Sequence, residues 1–477
     1  MTGARTRILE PGVSCWRVAS ADRVAVLIDA ADYFQALLHG LRRARSRIMI
    51  VGWDFDPRVR LDPTDPATEL RRLLPELAER SPDLHVHLLI WDVSLLFGPS
   101  ATLDQLAANL WQQHPRVQFR FDGEHPVGGS HHEKIVTVDD ALAFVGGIDL
   151  TVERWDTPEH AADHALRRDP DGAPYEPVHD LQMAVDGEAA RAVAELARER
   201  WADATGETLA PCAGPGGLWP DSLTPLLTQV PVGIARTRPE RAGRAAVTEV
   251  GALSVAALAA ARRSVYIEAQ YLAAVPIADR LALLLEQADG PEVVLVVWHQ
   301  ATGWLERFAM GSNRDRLLRR LAAADRHGRL RAYWLRAPGE PGPEINLHAK
   351  LMIIDDVFLR IGSSNLNNRS LGYDTECDLA IEAADDAARS RIADARDRLL
   401  AEHLMRPQEE VGRAVAEAGL IAAIERLNEG GGRFQRYRIE PDAGPKEPFP
   451  GTGLLDLAEP LDLDYLGRWL QNVPVAD

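Results

Sequence analysis

Two short stretches carry the residue types that could do chemistry. "HHEKIVTVDDALAFVGG" at 131–147 and "LHAKLMIIDDVFLRIGSS" at 347–364 each place a histidine two residues before a lysine and seven before an aspartate. His132, Lys134 and Asp139 in the first match His348, Lys350 and Asp355 in the second at a constant offset of 216 residue numbers. A neutral imidazole can attack phosphorus, a second, protonated one can give its proton to a leaving oxygen, and ammonium groups can hold charged phosphoryl oxygens. Two histidines and two lysines in one pocket therefore have what cleavage of a phosphodiester needs. An ordinary imidazole pKa of about 6.5 lets either ring serve in either state near neutrality. Lysine usage sharpens the point. Of 53 basic residues only Lys134, Lys350 and Lys446 are lysines, and a compact ammonium is not interchangeable with the planar guanidinium fork.

The surrounding pattern shows how such groups would be positioned. Residues i and i+2 of a strand share a face, so each histidine projects beside its lysine. The following "VDDAL" and "IDDVF" read as tight hairpin turns with Asp139 and Asp355 at the corner. Upstream, "ARSRIMIVGW" at 44–53 matches "ARRSVYIEAQ" at 261–270, and "LHVHLLIWD" at 84–92 pairs with "VVLVVWH" at 293–299. The chain is thus a duplicated α/β unit. Short apolar runs alternate with amphipathic segments, which predicts a largely parallel sheet covered by crossover helices. The expected division is a first lobe over 1–205, a Pro- and Gly-rich linker over 206–246, a second lobe over 247–405 and a C-terminal helix and tail over 406–477.

With these residues in view, the chain resembles the phospholipase D superfamily, whose paired HKD signatures correspond to His132, Lys134 and Asp139 and to His348, Lys350 and Asp355. Bacterial phospholipases D and cardiolipin synthases are the nearest kinds. "VHDLQMAVDG" at 178–187, "IEAQY" at 267–271 and "GSSNLNNRSLGYDTE" at 362–376 resemble further stretches of the family. The resemblance implies an α/β fold of two duplicated lobes, with a mostly parallel or mixed sheet flanked by helices and a pseudo-twofold between them. It implies a two-step reaction through a covalent phosphohistidine, without cofactor or metal. His132 would be the nucleophile and His348 the general acid, with Lys134, Lys350 and Asn365 on the phosphoryl oxygens. Asp180 and Glu376 would orient the opposite histidines, while Asp139 and Asp355 would fix the motif turns. One departure stands out: the counterpart of Asn365 in the first unit is Asp149, a carboxylate that cannot donate to phosphate and would instead pair with Arg154 or a lysine.

Composition narrows the substrate. A formal charge of -18 disfavours a protein that neutralises long runs of phosphates, and also adsorption to anionic membranes by net charge, while the resemblance implies a glycerophospholipid headgroup as the target. Phosphatidyl transfer of the cardiolipin synthase type and a nuclease-type reaction are the alternatives. Cys15, Cys212 and Cys377 suit a reducing compartment. No stretch of about 18 apolar residues could span a bilayer, and the expectation is a cytoplasmic monomer that meets phospholipid peripherally at a membrane surface, with Trp219 or Trp304 inserting. Smaller expectations are a solvent-facing strand end at His85 and His87, a wall or cap at Asp54 and Asp56, a turn at "DPDG", His131 facing away from the pocket, and a lid or substrate wall over 155–177.

Overall fold

The computed structural model describes residues 7–92, 114–212, 216–241, 243–299, 311–339, 341–442, 444–446 and 456. In the first half the strands are β1 (Arg17–Ile28), β2 (Arg47–Gly52), β3 (His85–Trp91), β4 (Val117–Asp122), β5 (Ile135–Val138), β6 (Leu142–Gly146), β7 (Val178–His179) and β8 (Leu181–Asp186). In the second they are β9 (Leu227–Arg238), β10 (Val247–Thr248), β11 (Ser264–Ala269), β12 (Glu292–Val297), β13 (Leu330–Leu335), β14 (Asn346–Leu347), β15 (Lys350–Ile354), β16 (Phe358–Gly362), β17 (Glu376–Glu382) and β18 (Phe434–Arg436).

Nearly all of them join one sheet, in the order β18-β13-β12-β11-β15-β16-β17-β9-β1-β8-β6-β5-β2-β3-β4. Read outward from the β9–β1 pair, the order of one half mirrors that of the other. That mirrored order is the duplication expressed as topology, and the antiparallel β1–β9 ladder is its seam. The sheet is mixed rather than largely parallel: parallel pairing is confined to β2–β3–β4 and β11–β12–β13, and the strands between them are antiparallel. Among the described residues, helices Leu70–Arg80, Val275–Glu286 and Ser312–Ala324 join the parallel neighbours β2–β3, β11–β12 and β12–β13. The strands that carry on from the HxK triplets, β5 and β15, lead into tight hairpins with three residues between the last paired positions, which demand antiparallel neighbours.

The segment 206–246, expected as a linker, contains β9, a central strand. Its alternation of Val230, Val232 and Ile234 is the strand signal, and Pro231 masked it. The β17 ladder ends at Val232, so Pro231 lies just outside it, where a missing N–H is tolerated.

Three apolar cores hold the layers together. One is shared, running through both halves beneath helices Gly187–Thr205 and Asp386–Leu404, with Trp201, Val232, Leu379 and Leu400 in it. The others cover the opposite face of each half, under helix Asp29–Arg43 in the first and helices Glu249–Ala260 and Val275–Glu286 in the second. Trp219, expected at a membrane interface, is packed in the first of these two, and its Nε1 donates to Leu223 O at 2.8 Å. Trp304 lies outside the described residues. His85 is exposed as expected, but His87 is buried, its ring edge-on to Trp201 at 4.8 Å. The strand carries His87 inward because the shared core extends to that edge. Residues 155–177 are packed as a wall: Trp155, Leu166 and Tyr175 of this segment line a cavity of about 440 Å³. Asp156, His160 and Arg167 are buried, and Arg167 bonds Asp156, Tyr175 O and Ala162 O. Among the described residues no helix is long and apolar enough to cross a membrane.

Candidate active site

The hairpin corners come first, because they aim the strands. Asp139, Asp140, Asp355 and Asp356 all have φ between 52° and 55°, the left-handed pair at the centre of a turn of the primed type. The Asp139 carboxylate accepts from the backbone N–H groups of Arg45, Ser46 and Arg47, each at 2.7 Å. Asp355 repeats the pattern with Arg262, Arg263 and Ser264 at 2.7 to 2.8 Å. Each aspartate thus ties the loop between a helix and the next strand to the hairpin that carries a histidine and a lysine.

The two histidines are held reciprocally. His132 N donates to Thr375 O at 3.1 Å, and its Nδ1 faces both oxygens of Glu376 at 3.0 Å. His348 N donates to His179 O at 2.8 Å, and its Nδ1 faces Asp180 Oδ2 at 2.6 Å. Each ring therefore takes its carboxylate from the other half of the chain. Parallel pairing of β7 with β14 and a bridge from His131 to Thr375 build these two crossings. A carboxylate on Nδ1 fixes the tautomer and leaves Nε2 for the reaction.

Glycine and serine hold the carboxylates in turn. A Cβ on Gly147 would stand 2.1 Å from Asp180 Oδ1, so only glycine fits there. At the matching place in the second half, Ser363 Oγ donates to Glu376 Oε2 at 2.5 Å.

The lysines sit differently. Lys134 Nζ lies 3.1 Å from Asp149 Oδ2 and donates to His132 O at 3.0 Å. Lys350 Nζ donates to Gln270 Oε1 at 3.0 Å and to His348 O, and lies 3.0 Å from His348 Nδ1. Asp149 therefore pairs with a lysine and not with Arg154, and it also accepts from Trp53 N at 2.9 Å. Its counterpart Asn365 is buried with Oδ1 unpaired. Sequence reasoning did not single out Gln270, although it ends the quoted "ARRSVYIEAQ". Its offset from the lysine gave no cue, because the contact crosses from β11 to β15.

Electrostatics bind the four groups into one site. Burial, then the charges of Lys134 and Lys350, push His132 well below its ordinary pKa. Burial, then Lys350, Arg154, Lys134 and His132, do the same to His348. Both rings are thus neutral at pH 7. Burial raises Asp180 to about 7 and Glu376 to about 7, and lowers Lys350 to about 7. Burial is the common cause of these shifts, and the two lysines inside the same buried site make it receptive to a phosphate. Arg154, whose charge reaches His348, lines a cavity of about 440 Å³ together with Thr151, Trp155 and Tyr175.

Neighbouring candidates are placed elsewhere. His131 turns away from the rings and is buried between Asp122 and Glu133, each at 3.0 Å. Asp54 accepts from Thr151 at 2.7 Å and Asp56 pairs with Arg58 at 2.8 Å, so both serve local structure. Arg369 is held by Asp374 at 2.7 Å. Asp169 accepts from Asp171 N and Ala173 N, which makes "DPDG" a turn.

Comparison with known proteins accords with this geometry. The family described as phospholipase D matches residues 40–211, and the cardiolipin synthase, PLD-like domain matches residues 255–395, between them more than half of the chain. Phospholipase D C of Dictyostelium discoideum is 27% identical over 207 residues, which are 37% of this chain and 13% of the relative. Phospholipase D beta 2 of Arabidopsis thaliana is 32% identical over 213 residues, 35% of this chain and 22% of the relative. The chain thus matches under a quarter of the length of these two relatives. Phosphatidylserine synthase of Haemophilus influenzae Rd KW20 has a similar fold, with a TM-score of 0.57 at 14% identity, covering 95% of this chain and 96% of that one. The matched families are phosphodiesterases and transphosphatidylases. Two family domains, one over each copy of the repeated unit, identify the chain as a member of the phospholipase D superfamily.

Proposed function

We propose that this protein cleaves the headgroup phosphodiester of a glycerophospholipid in two steps, through a phosphohistidine on His132. The observation that carries the reading is the reciprocal pair of histidine–carboxylate contacts, His132–Glu376 and His348–Asp180, around two buried lysines. In the first step His132 Nε2 attacks phosphorus, the bond to the headgroup oxygen breaks, and that oxygen takes the proton from His348 Nε2. In the second, His348 draws a proton from an incoming hydroxyl, whose oxygen displaces His132 from phosphorus. Lys134, Lys350 and Asn365 stabilise the equatorial oxygens. A bound phosphodiester anion offsets part of the positive charge of Lys350, Arg154 and Lys134, which, after burial, disfavours a protonated His348.

Whether the incoming hydroxyl belongs to water or to an alcohol decides between hydrolysis and transfer. The match of the second half to the cardiolipin synthase domain favours transfer as a second reading. The test follows headgroup release from phosphatidylcholine and phosphatidylglycerol vesicles, with glycerol as an alternative acceptor. His348→Ala is expected to lose about 10²- to 10⁴-fold in rate, the span of a missing general acid. His132→Ala is expected to lose the covalent adduct, which in the parent is trapped by acid-free quenching and mapped by mass spectrometry. Unchanged turnover in either variant, or an adduct on another residue, contradicts the reading.

A further inference from the structure

Beneath the candidate active site lies a second buried cluster that the chemistry does not use. Asp29, at the start of helix Asp29–Arg43, His160 of the inserted segment, His179 of β7 and Glu402 of helix Asp386–Leu404 each present one donor atom to a common point. His160 Nε2 lies 3.0 Å from Glu402 Oε1 and 3.5 Å from Asp29 Oδ2. His179 Nδ1 lies 3.0 Å from Asp29 Oδ1 and 3.0 Å from Glu402 Oε1. All four side chains are 5% exposed or less.

Three features of this cluster suit a cation better than direct pairing. The first is spacing: four ligands at about 2.0–2.1 Å around a tetrahedral zinc ion stand about 3.3 Å from one another, close to the separations found. The second is orientation. The far nitrogen of each ring is held by a carboxylate, His160 Nδ1 by Asp156 at 2.9 Å and His179 Nε2 by Glu268 at 2.9 Å, the outer contacts that fix a metal-binding tautomer. The third is an unmet need. His179 Nδ1 and Asp29 Oδ2 are fully buried and have no hydrogen-bond partner at acceptable geometry, although oxygens and nitrogens surround them. Such orphaned atoms are costly unless something else satisfies them.

Charge points the same way. Asp29, Asp156, Glu268 and Glu402 bring four negative charges into this region, and the guanidiniums packed on it are Arg167, against Asp156, and Arg433, on the carbonyls of Pro158, Glu159 and Glu402. With His160, His179 and the neighbouring His403, which meets Glu268 at 3.0 Å, all neutral, two negative charges remain, the charge of one divalent cation. Asp29 also adopts φ 63°, a strained conformation for a non-glycine residue, to turn its carboxylate inward.

We infer that Asp29, His160, His179 and Glu402 bind one structural zinc ion, which staples the inserted segment and helix Asp386–Leu404 to β7, next to Asp180. Four protein ligands leave no open position, and the site is sealed from solvent, so the ion holds the frame and takes no part in phosphoryl chemistry. Nitrogen and carboxylate donors in a small closed site disfavour magnesium and calcium. The site is independent of the proposed reaction, since metal content is read without substrate.

The decisive measurement is elemental analysis of the full-length protein, purified without chelator from zinc-supplemented culture. About one zinc per chain is expected, falling below about a tenth in Glu402→Gln and His160→Gln, each of which removes one of the four ligands a closed site needs. Should those variants fail to fold, the parent is unfolded and refolded with chelator, with Zn²⁺ or with Co²⁺. Zinc is expected to raise the melting temperature over the chelator sample where Mg²⁺ does not, and cobalt to give the visible bands of tetrahedral coordination. A parent free of stoichiometric metal, with the same melting temperature under all refolding conditions, overturns the inference and assigns the two missing charges to imidazolium groups. Full zinc retention in a folded Glu402→Gln variant overturns it equally.

Discussion

At the scale of the residue, the site holds its lysines at a cost. Lys350 is lowered to about 7 by burial, so the fold opposes its charged form. A group depressed in this way binds fewer protons folded than unfolded between pH 7 and its ordinary value of about 10.4. Its penalty is full below pH 7 and fades as pH rises through that window. Lys350→Met is therefore expected to be inactive, and its melting temperature relative to the parent to fall steadily between pH 7.5 and 10. A difference that stays flat over that range contradicts the buried charge. The same residue shows what a sequence can and cannot display. Lys350 and His348 were legible because their types and spacing recur at Lys134 and His132. Gln270, which holds Lys350, was not, because a contact between neighbouring strands leaves no local signature. The cluster around His179 was silent for the same reason, its members lying as far apart in sequence as Asp29 and Glu402.

At the scale of the element, the hairpin corners do more than turn the chain. Asp139 satisfies three backbone N–H groups at once and is buried. A hydrogen bond to a charged acceptor contributes about 1.5–3 kcal/mol where the bonds are independent, and the donors here are only partly buried. Asp139→Ala is expected to destabilise by about 3 kcal/mol or more, read from urea unfolding. The fraction that remains folded should keep its turnover. A large loss of turnover at unchanged stability would place Asp139 in the chemistry instead. Both corners were readable, because paired aspartates between apolar strands are turn residues with a mechanism. The strand β9 was not, since Pro231 and nearby glycines outweighed a clear alternation. Proline excludes a residue from a ladder only on the side where its N–H is needed, and sequence does not say which side that is.

At the scale of the molecule, the two copies share one sheet and one core. β1 and β9 pair along most of their length, so separating the copies would expose two long strand edges and the apolar surface beneath them. Residues 1–212 and 216–477, made as separate polypeptides, are each expected to release no headgroup and to aggregate. Refolding the two together should restore turnover, measured on the same vesicles. Turnover by the first polypeptide alone would show that Glu376 is dispensable to His132. The overall charge of -18 gave a sound contrast with local character: an acidic surface surrounds a centre where two lysines and Arg154 act on the histidines.

The exchange of carboxylates between copies turns an internal duplication into an obligate marriage. A gene that recombined the first copy with a foreign second one would inherit every signature residue and still leave each ring leaning on a stranger's side chain. A foreign second copy keeps both couples only where it brings a carboxylate to meet His132 and a histidine to meet Asp180.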